Sequence, residues 1–241
     1  MSVTVTDWSK KHKAVLELIA FLNEQLPAIT LEGSASSVFF GAAGLYRCNR
    51  YLQAIDSAVE GGLGDTAGGN LRTLYETWVL GHLIMLGTME EAKAAWAMAR
   101  SSQEKITKAV GLEFNYPDGT PEAAQDIGVE QRAQALKKKL KADDPKNAEM
   151  PTLGYNYLYR AESLLSSHAN TTSLTMYVAN DKNGTIGMRG QNVDCEWRTW
   201  LGAIFTVYYA ERVFTKAGLD TAKLEAWGDI LGTDTDFPPQ K

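Results

Sequence analysis

Cysteine, histidine and proline are scarce in this chain, and each scarcity removes a class of function. The 241 residues include 2 cysteines, 3 histidines and 7 prolines. Cys48 and Cys195 lie far apart, so they form neither a disulfide framework nor a metal-ligand spacing, and a reducing cytoplasm is the expected compartment. His12, His82 and His168 are isolated, with no two on one helical turn, so no metal site is expected. The Gly61–Gly62–Gly64 stretch lacks the Gly-Lys-Ser/Thr ending of a phosphate loop and follows no strand; no cofactor is expected. No Gly-x-Ser-x-Gly elbow occurs, which weakens any serine-nucleophile reading. No apolar run reaches membrane-spanning length, and the opening MSVTVTDWSKKHK has no apolar signal core, so no membrane contact is expected. Charge of one sign is also missing. Lys plus Arg is 24 against 29 for Asp plus Glu, a net −5, which disfavours broad nonspecific binding to phosphate backbones but leaves room for a local basic groove.

What is present is helical periodicity, and the expected fold class is all-α. The 44% hydrophobic content is ample for a core. Asp7–Gln25 carries a stripe of Val15, Leu18, Ile19, Leu22 and Leu26, and Pro27 ends it. A second helix runs from Ser37 to about Val59. After the glycines, residues 65–86 form a third, apolar nearly all round and therefore central, with Asp65 or Thr66 as its N-cap. Met89–Val110 is the fourth, stopped by Gly111. Thr120 and Pro121 open a polar helix ending in the run Lys137–Lys141, read as a solvated end that suits the helix dipole because no aromatics interleave. Pro145 and Pro151 argue against helix in residues 142–152. A helix follows at Gly154–Asn170, and Asn183-Gly184 signals a small β-hairpin insertion near 174–189. Asp194 caps a long apolar helix, Cys195–Ala217, with Gly218 as its terminal glycine, and a short helix ends near Gly232. The expected architecture is a single-domain bundle of about seven helices over 1–232, with a flexible tail at 233–241.

Two stretches carry polar residues inside apolar faces. Arg72 and Glu76 are one turn apart on the stripe of Val79 and Leu83. Arg before Glu is the poorer order for an exposed pair, so helix stability alone does not account for them. Gly154–Asn170 places Tyr155, Leu158, Tyr159 and Glu162 on one face and Ala161, Leu164, Leu165 and His168 on another. Ser163, Ser166 and Ser167 can close backbone bonds locally. A lone histidine near a helix end is more often a core or capping residue than a catalyst.

LRTLYETWVLGHLIML around Arg72 and Glu76, followed by YNYLYRAESLLSSHAN, resembles a group of bacterial helical proteins without assigned function. That group has an Arg-x-x-x-Glu helix and a later Tyr…Ser…His helix. The matching positions here are Arg72, Glu76, Tyr159, Ser163 and His168, within roughly residues 66–177. These proteins resemble the HEPN superfamily in style, helical bundles of RNA cleavage, toxin–antitoxin and phage-defence systems. The HEPN nuclease signature sets Arg four to six residues before His, whereas seven residues (161–167) separate Arg160 from His168 here.

Two functional readings remain open. In the first, Arg72, Glu76 and His168 build a pocket for RNA or a nucleotide. Arg72 holds a phosphate, His168 moves the proton, Glu76 orients Arg72 or shares the proton work, and Tyr159 and Ser163 complete the binding set. In the second, the same residues form a buried network that fixes helix register, and the protein acts through its surface, as a homodimer or partner-binding bundle.

Overall fold

The computed structural model describes residues 5–29, 36–88, 127–165, 178–180, 186–188 and 195–232, with scattered residues of 91–122. Its helices are α1 (Trp8–Gln25), α2 (Ser36–Glu60), α3 (Gly64–Met85), α4 (Val129–Asp143), α5 (Met150–Leu153), α6 (Arg160–Leu165), α7 (Glu196–Ala217) and α8 (Ala222–Leu231). Between α5 and α6 the chain continues as a π-helical segment, Gly154–Tyr159, so that 150–165 is one unbroken helical rod. The scattered described residues from Glu91 to Ala109 are also helical. The all-α class is therefore that of the sequence. Within 174–189, Val178–Asn180 pairs antiparallel with Ile186–Met188 in the register Val178↔Met188, Ala179↔Gly187, Asn180↔Ile186. Asn183-Gly184, Asp194 and the tail 233–241 lie outside the described residues.

The α2–α3 hairpin is the frame. Gly62 adopts a left-handed φ of 70°, and the Gly62 and Leu63 amides donate back to the Val59 and Ala58 carbonyls. This closes the end of α2 in a Schellman turn and starts α3 at once. Gly218, also at φ 70°, closes α7 in the same way, with Leu219 N–H donating to the Phe214 carbonyl. Because the turn runs straight into α3, the residue in the N-cap position is Leu63, and Asp65 sits inside the first turn rather than capping it. α7 lies against both α2 and α3. α1 and α8 cover α7, while α4 and the 150–165 rod pack on α3. One continuous core results, with Leu18, Leu22, Leu45, Leu52, Ile55, Leu71, Leu74, Trp78, Phe205 and Phe214 buried. Each such side chain contributes about 1.5–3 kcal/mol by leaving water.

Two boundaries differ from the periodicity. Glu122, Ile127 and Gly128 are not helical, and α4 begins at Val129 after an extended Gly128 (ψ 163°). Pro145 and Pro151, read as barring helix, instead open helical turns. Pro145 starts a 3₁₀ turn (Pro145–Asn147), and Pro151 stands in the first turn of α5, where its missing N–H has no intrahelical partner to lose. Among the described residues no helix is long and apolar enough to cross a membrane.

Candidate functional site around Arg72

The site grows from the edge of α3. Ala67, Leu71, Leu74, Tyr75, Trp78 and His82 point into the core, which leaves Arg72 and Glu76 at the margin of the buried face. The 150–165 rod runs along that margin. Its wide π segment brings Tyr159 across Arg72, and the Arg72 Nη2 donates to the Tyr159 hydroxyl at 2.9 Å. The same guanidinium lies 4.7 Å from the Tyr159 ring centre, within cation–π range. Arg72 Nη2 also reaches Glu76 Oε1 at 3.3 Å, and the two side chains keep 24% and 35% of their surface exposed. The Arg72 Nε is buried with no hydrogen-bond partner. Arg72, Glu76 and Tyr159 therefore meet at this margin.

The aromatic surroundings extend outward. Tyr155 stacks on Tyr159 with ring centres 5.4 Å apart and planes 19° from parallel. Its hydroxyl donates to Glu130 Oε2 at the start of α4, 3.2 Å away. Desolvation, reinforced by the negative Glu130, holds the Tyr155 hydroxyl above its ordinary pKa. Tyr75 lies beneath, 6.1 Å from Tyr159, and burial raises its hydroxyl well above the usual range. Cation and stacked tyrosines thus share one partly open edge.

The other expected members of the site are Ser163 and His168. Ser163 gives its hydroxyl to the Tyr159 carbonyl at 2.7 Å, a local backbone bond rather than a contact with Arg72. Its position one turn beyond Tyr159 on an intact rod makes that bond the nearest one available. His168 lies outside the described residues. The Lys137–Lys141 run is partly neutralised: Lys137 pairs with Glu149, and Lys139 with Glu91 at 2.8 Å.

Two polar features escaped the sequence reading. The first is Glu162–Arg198, a fork-to-fork ion pair with Nε–Oε1 at 2.7 Å and Nη2–Oε2 at 3.3 Å. Its side chains are 0% and 4% exposed. Arg198 also donates to the Cys195 sulfur at 2.9 Å. This pair ties α6 to the first turn of α7. The second is His82, fully buried against Trp78, Tyr208 and Tyr209. Its Nδ1 donates to the Trp78 carbonyl at 3.0 Å, and its Nε2 has no hydrogen-bond partner. Desolvation depresses its pKa to about 3. His12, the remaining described histidine, bonds Asp56 at 2.9 Å and links α1 to α2. Among the described residues no group of three or more His, Cys, Asp and Glu side chains is placed to hold a metal ion.

No protein-family model, no curated protein and no solved structure matches this chain. The site is accordingly read from its own chemistry.

Proposed function

We propose that the protein binds a nucleotide, free or as part of RNA, at the Arg72–Tyr159 edge. The observation that carries this reading is an arginine side chain about one quarter exposed, with a buried, unpartnered Nε, set beside a stacked pair of tyrosines. A phosphate takes two parallel N–H donors from one arginine, and an aromatic pair beside it offers a stacking surface for a base. Glu76 keeps the guanidinium in place when no ligand is bound. His168, which follows in the sequence, is proposed as the proton-transfer group, giving the RNA-directed chemistry and the bacterial defence or toxin-like role that the resemblance implies. The cytoplasm is the compartment that fits such a role.

The test is thermal shift and calorimetry on the full chain with AMP, GMP and a short single-stranded RNA. Charge-assisted hydrogen bonds to an arginine contribute about 1.5–3 kcal/mol, so Arg72→Ala should weaken binding about tenfold to a hundredfold. His168→Ala should keep binding and lose turnover. A wild-type melting temperature that millimolar nucleotide leaves unmoved contradicts the proposal.

A second reading has its own support: the Arg72 hydrogen bonds are made within the protein, and Ser163 serves the backbone. In that reading the cluster only fixes α3 against the rod, and function lies on the surface of a homodimer or partner-binding bundle. Arg72→Ala would then lower the melting temperature without altering any ligand response.

A further inference from the structure

The position of Tyr159 depends on an interruption of the helix several residues earlier. In a regular α-helix the Tyr155 N–H would donate to the Pro151 carbonyl. Here a side chain from α3 reaches that carbonyl. The Tyr75 hydroxyl donates to the Pro151 carbonyl, the acceptor on which that bond would close. A group inserted into the ladder widens the turn, and the chain continues as π helix, with Arg160 N–H donating to the Tyr155 carbonyl. The position across the ring of Tyr75 is Gly154. A Cβ there would lie 2.5 Å from Tyr75 Cε2 and 3.0 Å from Phe205 Cζ, so only glycine lets the ring approach.

A π insertion adds one residue to the helix, and everything after it is turned by about 100° and moved by about 1.5 Å relative to an uninterrupted α-helix. Tyr159 and Glu162 both lie after the insertion point. Their partners, Arg72 on α3 and Arg198 on α7, are fixed by other helices. In the regular α register both side chains would be turned by about 100° from the directions in which they meet those partners.

We infer that Tyr75 is a positioning residue that sets helix register: its hydroxyl holds the π insertion that delivers Tyr159 to Arg72 and Glu162 to Arg198. The ligand edge is thus controlled from the core side of α3, and a nucleotide bound there favours the π register over the α register. The inference about ligand control rests on the proposed function; the inference about register does not.

The experiment uses Tyr75→Phe, and the same variant with the exposed Asn156 deleted. Removing the hydroxyl frees Pro151 and Tyr155 to bond each other, which draws the rod towards the α register. Deleting one residue returns the downstream side chains to their places on a regular helix. Nuclear Overhauser contacts between Arg72 and Tyr159, and AMP affinity by calorimetry, are the two readouts. Tyr75→Phe should lose the Arg72–Tyr159 contact and weaken AMP at least tenfold, and the deletion should restore both. A purely structural Tyr75 would lower stability in both variants with no such rescue. Retention of the contact in Tyr75→Phe overturns the inference. If that variant does not fold, failure of the deletion to restore folding and the contact overturns it equally. Loss and rescue of the contact in a protein that binds no AMP supports the register inference and sinks the proposed function.

Discussion

Acidification should destabilise this protein in part through His82, over a pH range set by that ring. His82 is fully buried, with its Nδ1–H given to the Trp78 carbonyl and no hydrogen-bond partner at Nε2. Protonation would place a cation among Trp78, Tyr208 and Tyr209, near the positive Arg212. The folded pKa is about 3, against 6.5 for an unperturbed histidine. Between those values the unfolded chain binds the extra proton and the folded chain does not, so stability rises with pH and falls as pH drops below 6.5. At about 1.4 kcal/mol per pH unit, the loss from this group is about 2.7 kcal/mol at pH 4.5 and about 5 kcal/mol at the lower limit. Carboxylates titrate in the same range, so the measurement is a difference. Urea unfolding of the wild type and of His82→Phe, at several values from pH 7.5 to 4.5, cancels the groups they share. The difference in unfolding free energy should be constant above pH 7 and then shift against the wild type by about 1.4 kcal/mol per unit below 6.5. A difference that stays flat to pH 4.5 would refute the reasoning, because it would mean the folded ring accepts its proton as readily as the unfolded one.

Two further outcomes follow from packing. Arg198→Ala strands the fully buried Glu162 carboxylate from its bidentate partner and should cost about 3–5 kcal/mol in urea unfolding, most of it recovered in the Glu162→Leu/Arg198→Met double variant. Gly81→Ala would drive a Cβ into the Tyr209 hydroxyl oxygen, wedged between α2 and α3, and should cost about 1–3 kcal/mol; an unchanged midpoint would show that Tyr209 has room to move.

The helices were legible because burial imposes a three- and four-residue period. Val15, Leu18 and Leu22 on α1, and Leu71, Leu74 and Trp78 on α3, are all buried as that period requires. Gly218 was legible as a stop because a left-handed residue is needed there. Arg72 and Glu76 stood out because charges on an apolar stripe need partners, and Tyr159 proved to be one of them. Glu162–Arg198 was not legible, because a pair 36 residues apart leaves no periodic trace and either residue alone reads as surface. The π segment was hidden for a different reason. Its cause is the hydroxyl of Tyr75, 76 residues before Pro151, and nothing local in GYNYLY announces the extra residue. Pro151 misled because a proline in a polar stretch reads as a breaker, while its position within the first turn makes it harmless to the helix.

The most direct test of the central claim is the Nε–Hε resonance of Arg72, assigned through Arg72→Lys and followed by NMR during titration with inorganic phosphate and then AMP. This donor is buried and unpartnered in the free protein. The account predicts a saturable shift of that resonance with both anions, at lower concentration for AMP because the tyrosine pair adds stacking to the phosphate contact. A resonance that stays in place through millimolar concentrations of both would contradict it, and would leave the Arg72–Glu76–Tyr159 cluster as a device for holding α3 against the rod.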